Sequence, residues 1–326
     1  MKSIFYIINS HFWKSITGPF FAFGFPVIFI AILGTILGYD QVLGGILAIP
    51  IVTVSLTVLP TALFEFKSSS LLKRIGVTSI KPWMFMVAIS VYYISVMIIA
   101  TITTMCIGLL IFVGYWNSGK DIAQSVVPNR DGSSVAYTTL VAPSMKEIVA
   151  HVNWGSFIYA NLMNILVSTT LGLLISSIAK SSLSIQGISI PILIISEFLA
   201  AQVLPIGMVK SIDALYYMSY ICPFKYSTGL VIESWSGALS LDYNNIQWSP
   251  TEPTAVWNLT YIGSQNIFNI NQEFYSFYDD YTTTSSTSGM LIFNQADKIV
   301  NLVMPIVLSS VFGAIALKKF KWSQRG

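Results

Sequence analysis

Six long apolar runs decide what this chain can become. They fall at about residues 19–38, 43–64, 83–115, 155–179, 184–205 and 298–317. At about 1.5 Å of rise per residue, roughly 20 apolar residues carry a helix across a hydrocarbon core about 30 Å thick. A helix also satisfies its own backbone hydrogen bonds, which lipid cannot do for it. Pro50, Pro60, Pro191 and Pro305 lie inside these runs, where neighbouring helices can take up the freed carbonyls. The fourth and fifth runs are parted only by AKSSLS, which predicts a hairpin. The expectation is an all-α polytopic membrane protein with six transmembrane helices.

Composition supports lipid as part of the solvent. Only 10% of the 326 residues are charged and 54% are hydrophobic, against about 25% charged in a soluble domain. With six spans both termini share one side. That side also holds residues 65–82 and the short turn at 179–184. It collects Lys2, Lys14, Lys67, Lys73, Arg74, Lys81, Lys180, Lys318, Lys319, Lys321 and Arg325 against a single acid, Glu65. The opposite side carries six basic residues, among them Lys120 and Arg130, against acids that include Asp121, Asp131, Asp279 and Asp280. The positive-inside rule therefore puts both termini in the cytoplasm of a multi-pass cell-membrane protein. The net charge of +3 is small and reads as orientation, with no nucleic-acid partner implied.

The remaining organisation follows from these spans. Residues 1–18 place Ile4, Phe5, Ile8 and Phe12 on one face, which predicts an amphipathic helix in the cytoplasmic interface. The apolar run behind it is too long for a cleaved signal peptide, and no small-residue cleavage site follows. Residues 116–154 and 206–297 are external polar loops, the second ending in the Ser/Thr linker TTTSSTSG; residues 318–326 form a cytoplasmic basic tail. The stretch Asn258-Leu259-Thr260 fits a glycosylation acceptor. The aromatic residues between 240 and 297 read as a small folded core.

Much chemistry has no residues to perform it. The chain contains no P-loop, no G-x-S-x-G and no H-E-x-x-H. It has two cysteines, Cys106 and Cys222, and two histidines, His11 and His151, in no metal-binding or disulfide pattern. Asp279-Asp280 lacks spaced partner oxygens. No catalytic residue, metal ligand or cofactor site is assigned. Glu197 is the one acidic or basic side chain well inside a span, a candidate for a substrate path. An ion-driven transporter keeps several ionisable groups at that depth, so any transport here needs an outside source of power.

The stretch FEFKSSSLLKRIGVTSIKPW, residues 64–83, is where such power can enter. Ser69 or Ser70 can cap a short helix. Leu71, Leu72 and Ile75 then share a face beside Lys73 and Arg74, and Gly76 and Pro82 end it. An ordinary interfacial loop whose cations only set topology is the simpler alternative on pattern alone.

This segment resembles the coupling-helix loop of the ABC-2 type transporter permeases. The matching positions are Glu65, Ser70, Leu71, Leu72, Lys73, Arg74 and Thr78, with Ser79 where the family often has Pro. Residues 171–182, LGLLISSIAKSS, resemble the end of the family's fourth span. The stretch from Leu204-Pro205 through Pro223 is similar to its external re-entrant region between helices 5 and 6. The resemblance covers nearly the whole chain in order, although the 116–154 and 240–297 segments are longer than the family pattern.

The resemblance implies a homo- or heterodimer of six-span subunits with a substrate path between them. Separate ATPase subunits would bind ATP and Mg on the cytoplasmic side. In that arrangement Glu65, Lys73 and Arg74 orient the ATPase contact, while Leu71, Leu72 and Ile75 key into it. The cargo class it implies is a drug, lipid or glycan-lipid. Two other classes compete: a membrane scaffold binding partners through residues 240–297, and a lipid-modifying membrane enzyme.

Overall fold

The computed structural model describes residues 2–36, 39–68, 82–117, 121–128, 135–141, 144–204, 206–235, 238–241, 247–248, 254–263, 267–269, 274–276 and 290–319. Among the described residues six helices are long and apolar enough to cross a membrane: Thr17–Ile36, Leu43–Ser68, Met84–Ile111, Trp154–Ile178, Ser182–Leu199 and Gln295–Lys319. They are called spans 1 to 6 below. Each coincides with one of the apolar runs. Spans 4 and 5 form the expected hairpin, where Ser181 accepts a hydrogen bond from the Ser184 amide at 3.0 Å and caps the second helix.

Span 2 is the axis of the bundle. It is 89% buried over its most apolar window, against 22% for spans 1 and 6 and 28% for span 5. Those outer spans turn apolar stripes outward. Ile28, Ile32 and Ile36 are exposed on span 1, as are Ile299, Val303 and Val307 on span 6. Their four-residue spacing keeps each set on one helix face.

Two prolines reshape the helices around them. A π-helical turn at Phe20–Gly24 ends two residues before Pro26, and another at Val54–Val58 ends two residues before Pro60. Proline supplies no N–H to the carbonyl four residues back and pushes it aside. The displaced groups are those of Ala22 and Leu56, in the middle of each turn. The opened backbone of span 1 is stitched by span 2, whose Thr53 hydroxyl donates to the Phe21 carbonyl at 3.0 Å. Gly172 of span 4 lets that helix close on the second π turn, because a Cβ there would collide with the Ser55 carbonyl.

Three sequence expectations need correction. The helix of residues Lys2–Lys14 buries Ile4, Ile8 and Phe12 in the protein core rather than in lipid. Phe12 packs edge-on to Tyr92 and Tyr93, and the Tyr92 hydroxyl donates to Asn9 at 2.9 Å. Span 5 ends at Leu199, short of residue 205. The chain leaves the helix through Ala201, at φ 58°, a left-handed conformation that a non-glycine residue seldom adopts. Gly45 of span 2 faces this bend, where any side chain would meet the carbonyls of Ala201 and Gln202.

The third correction concerns the two long polar segments, expected as separate loops. Each supplies β-strands, so the all-α expectation holds for the spans and not beyond them. Strands β1 (Asp121–Pro128) and β2 (Val135–Val141) form an antiparallel pair. Strand β3 (Ala238–Leu241) and strand β4 (Gln247–Trp248) both pair with β5 (Thr254–Gly263). Strand β5 also runs parallel to β2, joining the two segments in one sheet. Strands β6 (Phe274–Ser276) and β7 (Met290–Phe293) form a separate pair. The proposed linker at 282–289 lies outside the described residues.

After span 5 come three short helices, Ile206–Ser211, Asp213–Ser219 and Lys225–Trp235. The last is buried along residues 226–235 and packs against spans 4 and 6. Ser227 donates to Asn164 of span 4 at 2.9 Å. The Lys298 ammonium of span 6 lies 2.8 Å from the Glu233 carboxylate, both side chains fully enclosed.

Candidate functional site

On the side of the bundle that carries both termini, a cavity of about 370 Å³ opens between the N-terminal helix and spans 1, 2, 3 and 5. Span 2 presents Thr57, Thr61 and Glu65 to it, and span 5 presents Ser182, Gln186 and Ser189. A four-residue step on span 2, and steps of four and three on span 5, bring each set to one face. Thr57 and Thr61 hydroxyls donate to the carbonyls of Thr53 and Thr57 at 2.6 and 2.7 Å. Such back-bonding lets a hydroxyl sit in an apolar helix without an unmet donor. Phe12, Phe21, Leu56, Val58 and Ile185 complete an apolar wall.

The mouth of this cavity is a junction. His11 Nε2 of the N-terminal helix lies 2.6 Å from Glu65 Oε2, and the His11 ring rests on Phe66. The next residue, Lys67, donates to the Ser176 carbonyl of span 4 at 3.1 Å. Three consecutive residues at the end of span 2 are thus tied to two neighbours, immediately before the chain enters residues 69–81.

Of the residues singled out in the sequence, Glu65 stands at this mouth with its side chain half exposed. Ser70, Leu71, Leu72, Lys73, Arg74, Ile75 and Thr78 lie outside the described residues. Glu197 is buried toward the far end of span 5 and does not line the cavity. Its Oε1 has no hydrogen-bond partner among the described residues. The sequence reading passed over His11, Thr57, Thr61, Tyr93, Gln186 and Ser189. One signal was available: Thr53, Thr57, Thr61 and Glu65 recur every four residues in an otherwise apolar run.

A second polar cluster sits beside the short helices after span 5. Asp297 accepts hydrogen bonds from Tyr220 at 2.5 Å and from Tyr216 at 3.2 Å. Lys225 lies over the Tyr216 ring, 4.8 Å from its centre. Burial pushes its ammonium pKa down to about 8, although the Asp297 charge opposes the shift. Burial likewise pushes the Glu233 carboxyl up, with Lys298 opposing. The space beside this cluster is only about 20 Å³, room for about one water. Asp297 is already partnered by two tyrosines, so the cluster fastens the short helices to span 6.

No family model matches the chain, and no curated protein or solved structure matches it.

Proposed function

We propose that this chain is the permease subunit of an ABC exporter of the ABC-2 type, driven by a separate ATPase. The observation that carries the reading is the junction at the end of span 2, where Glu65, Phe66 and Lys67 are clamped beside a polar cavity. Residues 69–81 continue directly from it and hold the basic and apolar positions that resemble a coupling helix. Both termini face the cytoplasm of the cell membrane, as the basic bias of that side requires. ATP and Mg belong to the ATPase subunits, and a second permease subunit completes the path.

In this mechanism, closure of the ATPase pair displaces residues 69–77, with Lys73 and Arg74 holding the contact and Leu71, Leu72 and Ile75 keyed into it. The end of span 2 beyond Val58 moves together with the neighbouring helices to which Glu65 and Lys67 tie it. The π turn at Val54–Val58 gives that motion a hinge, since its backbone already departs from regular α-helical bonding. Glu197, at the far end of span 5, is a candidate for a later station on the path.

The test is co-purification. The native chain, solubilised with the proteins of its own cell, is expected to retain a P-loop ATPase in equal number. Replacing Lys73 and Arg74 together with Glu is expected to release it and abolish coupled ATP hydrolysis while leaving membrane insertion intact. A folded chain that holds no ATPase would move the scaffold and lipid-enzyme readings ahead.

A further inference from the structure

The cavity has a charge preference that its position alone does not explain. Among the described residues its lining includes one carboxylate, Glu65, one imidazole, His11, and no lysine or arginine. Among these residues an anionic head group would find no permanent cation. The His11–Glu65 contact adds a direction. At 2.6 Å His11 Nε2 and Glu65 Oε2 share a hydrogen bond, and the Glu65 side chain keeps about half of its surface exposed. The carboxylate therefore offers a place for positive charge at the mouth.

Deeper in, the demand is different. Tyr93 and Ser189 also line the cavity, and both are almost fully buried. Neither hydroxyl has a hydrogen-bond partner among the described residues. Around them stand Phe21, Leu56, Ile185 and Ile190. Glu65 and Leu56 are nine residues apart on one helix, so the cavity extends about 13 Å inward from its mouth. Its volume falls within the range of about 300–1,000 Å³ typical of sites for small organic molecules.

We propose that this cavity binds an amphiphile with a protonated primary or secondary amine as its head group. The ammonium sits at the mouth beside Glu65, and the apolar body reaches inward along Leu56 and Ile185 toward Tyr93 and Ser189. A single hydroxyl on that body would be met by Tyr93 or Ser189. That this molecule is cargo rests on the permease reading; that it binds here does not.

The experiment uses the purified full chain in nanodiscs of phosphatidylcholine, without any ATPase. Two probes of equal length are compared, an alkyl-diazirine amine and its carboxylate counterpart, and adducts are mapped by mass spectrometry. The amine is expected to label residues 54–65 and 182–190 and to be competed by unlabelled dodecylamine. The carboxylate is expected to mark only lipid-facing positions such as Ile194 and Phe198. Glu65→Gln is expected to lower amine labelling of the cavity about fivefold, the order of one charge-assisted contact at a half-exposed site. Ser189→Leu, which fills the inner end without changing charge, is expected to lower it as well. Equal labelling by both probes, or amine labelling unaffected by either variant, overturns the proposal. Amine labelling in a chain that recruits no ATPase leaves the binding site standing and removes the transport reading. Recruitment of an ATPase without selective labelling does the reverse.

Discussion

The enclosed pair Lys298–Glu233 makes a sharp test of how span 6 is held to the helix Lys225–Trp235. The charges are 2.8 Å apart and neither side chain has accessible surface. At an effective dielectric constant of about 20, their attraction is about 6 kcal/mol. Most of that offsets the cost of taking both ions out of water, so the pair as a whole adds little. Removing one partner is a different matter, because the other charge stays buried. Lys298→Met or Glu233→Leu is expected to destabilise the protein by about 3–5 kcal/mol.

The double variant, with an apolar pair in the same space, is expected to lie closer to wild type than either single change. Reversible unfolding by SDS in mixed micelles measures all four proteins. The pH dependence supplies an independent check. Burial already raises the Glu233 pKa above its ordinary 4.5 while Lys298 opposes the shift, so removing Lys298 raises it further. A raised carboxyl contributes stability below its unfolded pKa and loses it as pH rises. The deficit of Lys298→Met is therefore expected to be smallest below about pH 4.5 and to grow toward neutrality. A single variant costing under about 1 kcal/mol, or a double variant costing the sum of the singles, would refute the buried-pair argument.

Other consequences are as direct. Lys225 has a folded pKa lowered to about 8 from 10.5, so its contribution is present above the unfolded value and lost as pH falls through the folded one. Wild-type melting temperature should climb between pH 8 and 10 through this group, and Lys225→Met should flatten that climb. Gly172→Ala places a methyl against the Ser55 carbonyl and is expected to cost about 1–3 kcal/mol in the same unfolding assay. A stability equal to wild type would mean that spans 2 and 4 do not approach as closely as described. Thr53→Val removes the hydroxyl that stitches spans 1 and 2 and should cost about 1 kcal/mol; a neutral effect would imply that another group serves the Phe21 carbonyl.

Some of the architecture could be read from residue patterns because lipid imposes a simple rule. Six apolar runs had to become six helices, and AKSSLS left no room for anything but a hairpin. The π turns were half legible, since Pro60 was visible inside its run while the two-residue offset of the opened turn was not. The apolar face of the N-terminal helix was legible too, but not its neighbour: Phe12 could as well have met acyl chains as Tyr92 and Tyr93. The candidate cavity was least accessible. A threonine every four residues identifies a face of span 2, yet only the packing of span 5 and the N-terminal helix turns that face into a site.

Hydrophobic length alone thus determined the number of spans, and charge bias determined the expected orientation of the chain. Both are local quantities, summed along the sequence against a uniform solvent. Tertiary structure decided which span is central, because Leu43–Ser68 has the same mean hydropathy, 2.2, as the outer spans 1 and 6, and only the packing of its neighbours buries it. It also decided that polar segments more than 100 residues apart share one sheet through β2 and β5, a pairing that no local propensity encodes. And it brought His11 to Glu65, 54 positions away, since an ionisable side chain acquires its role from what the fold sets beside it.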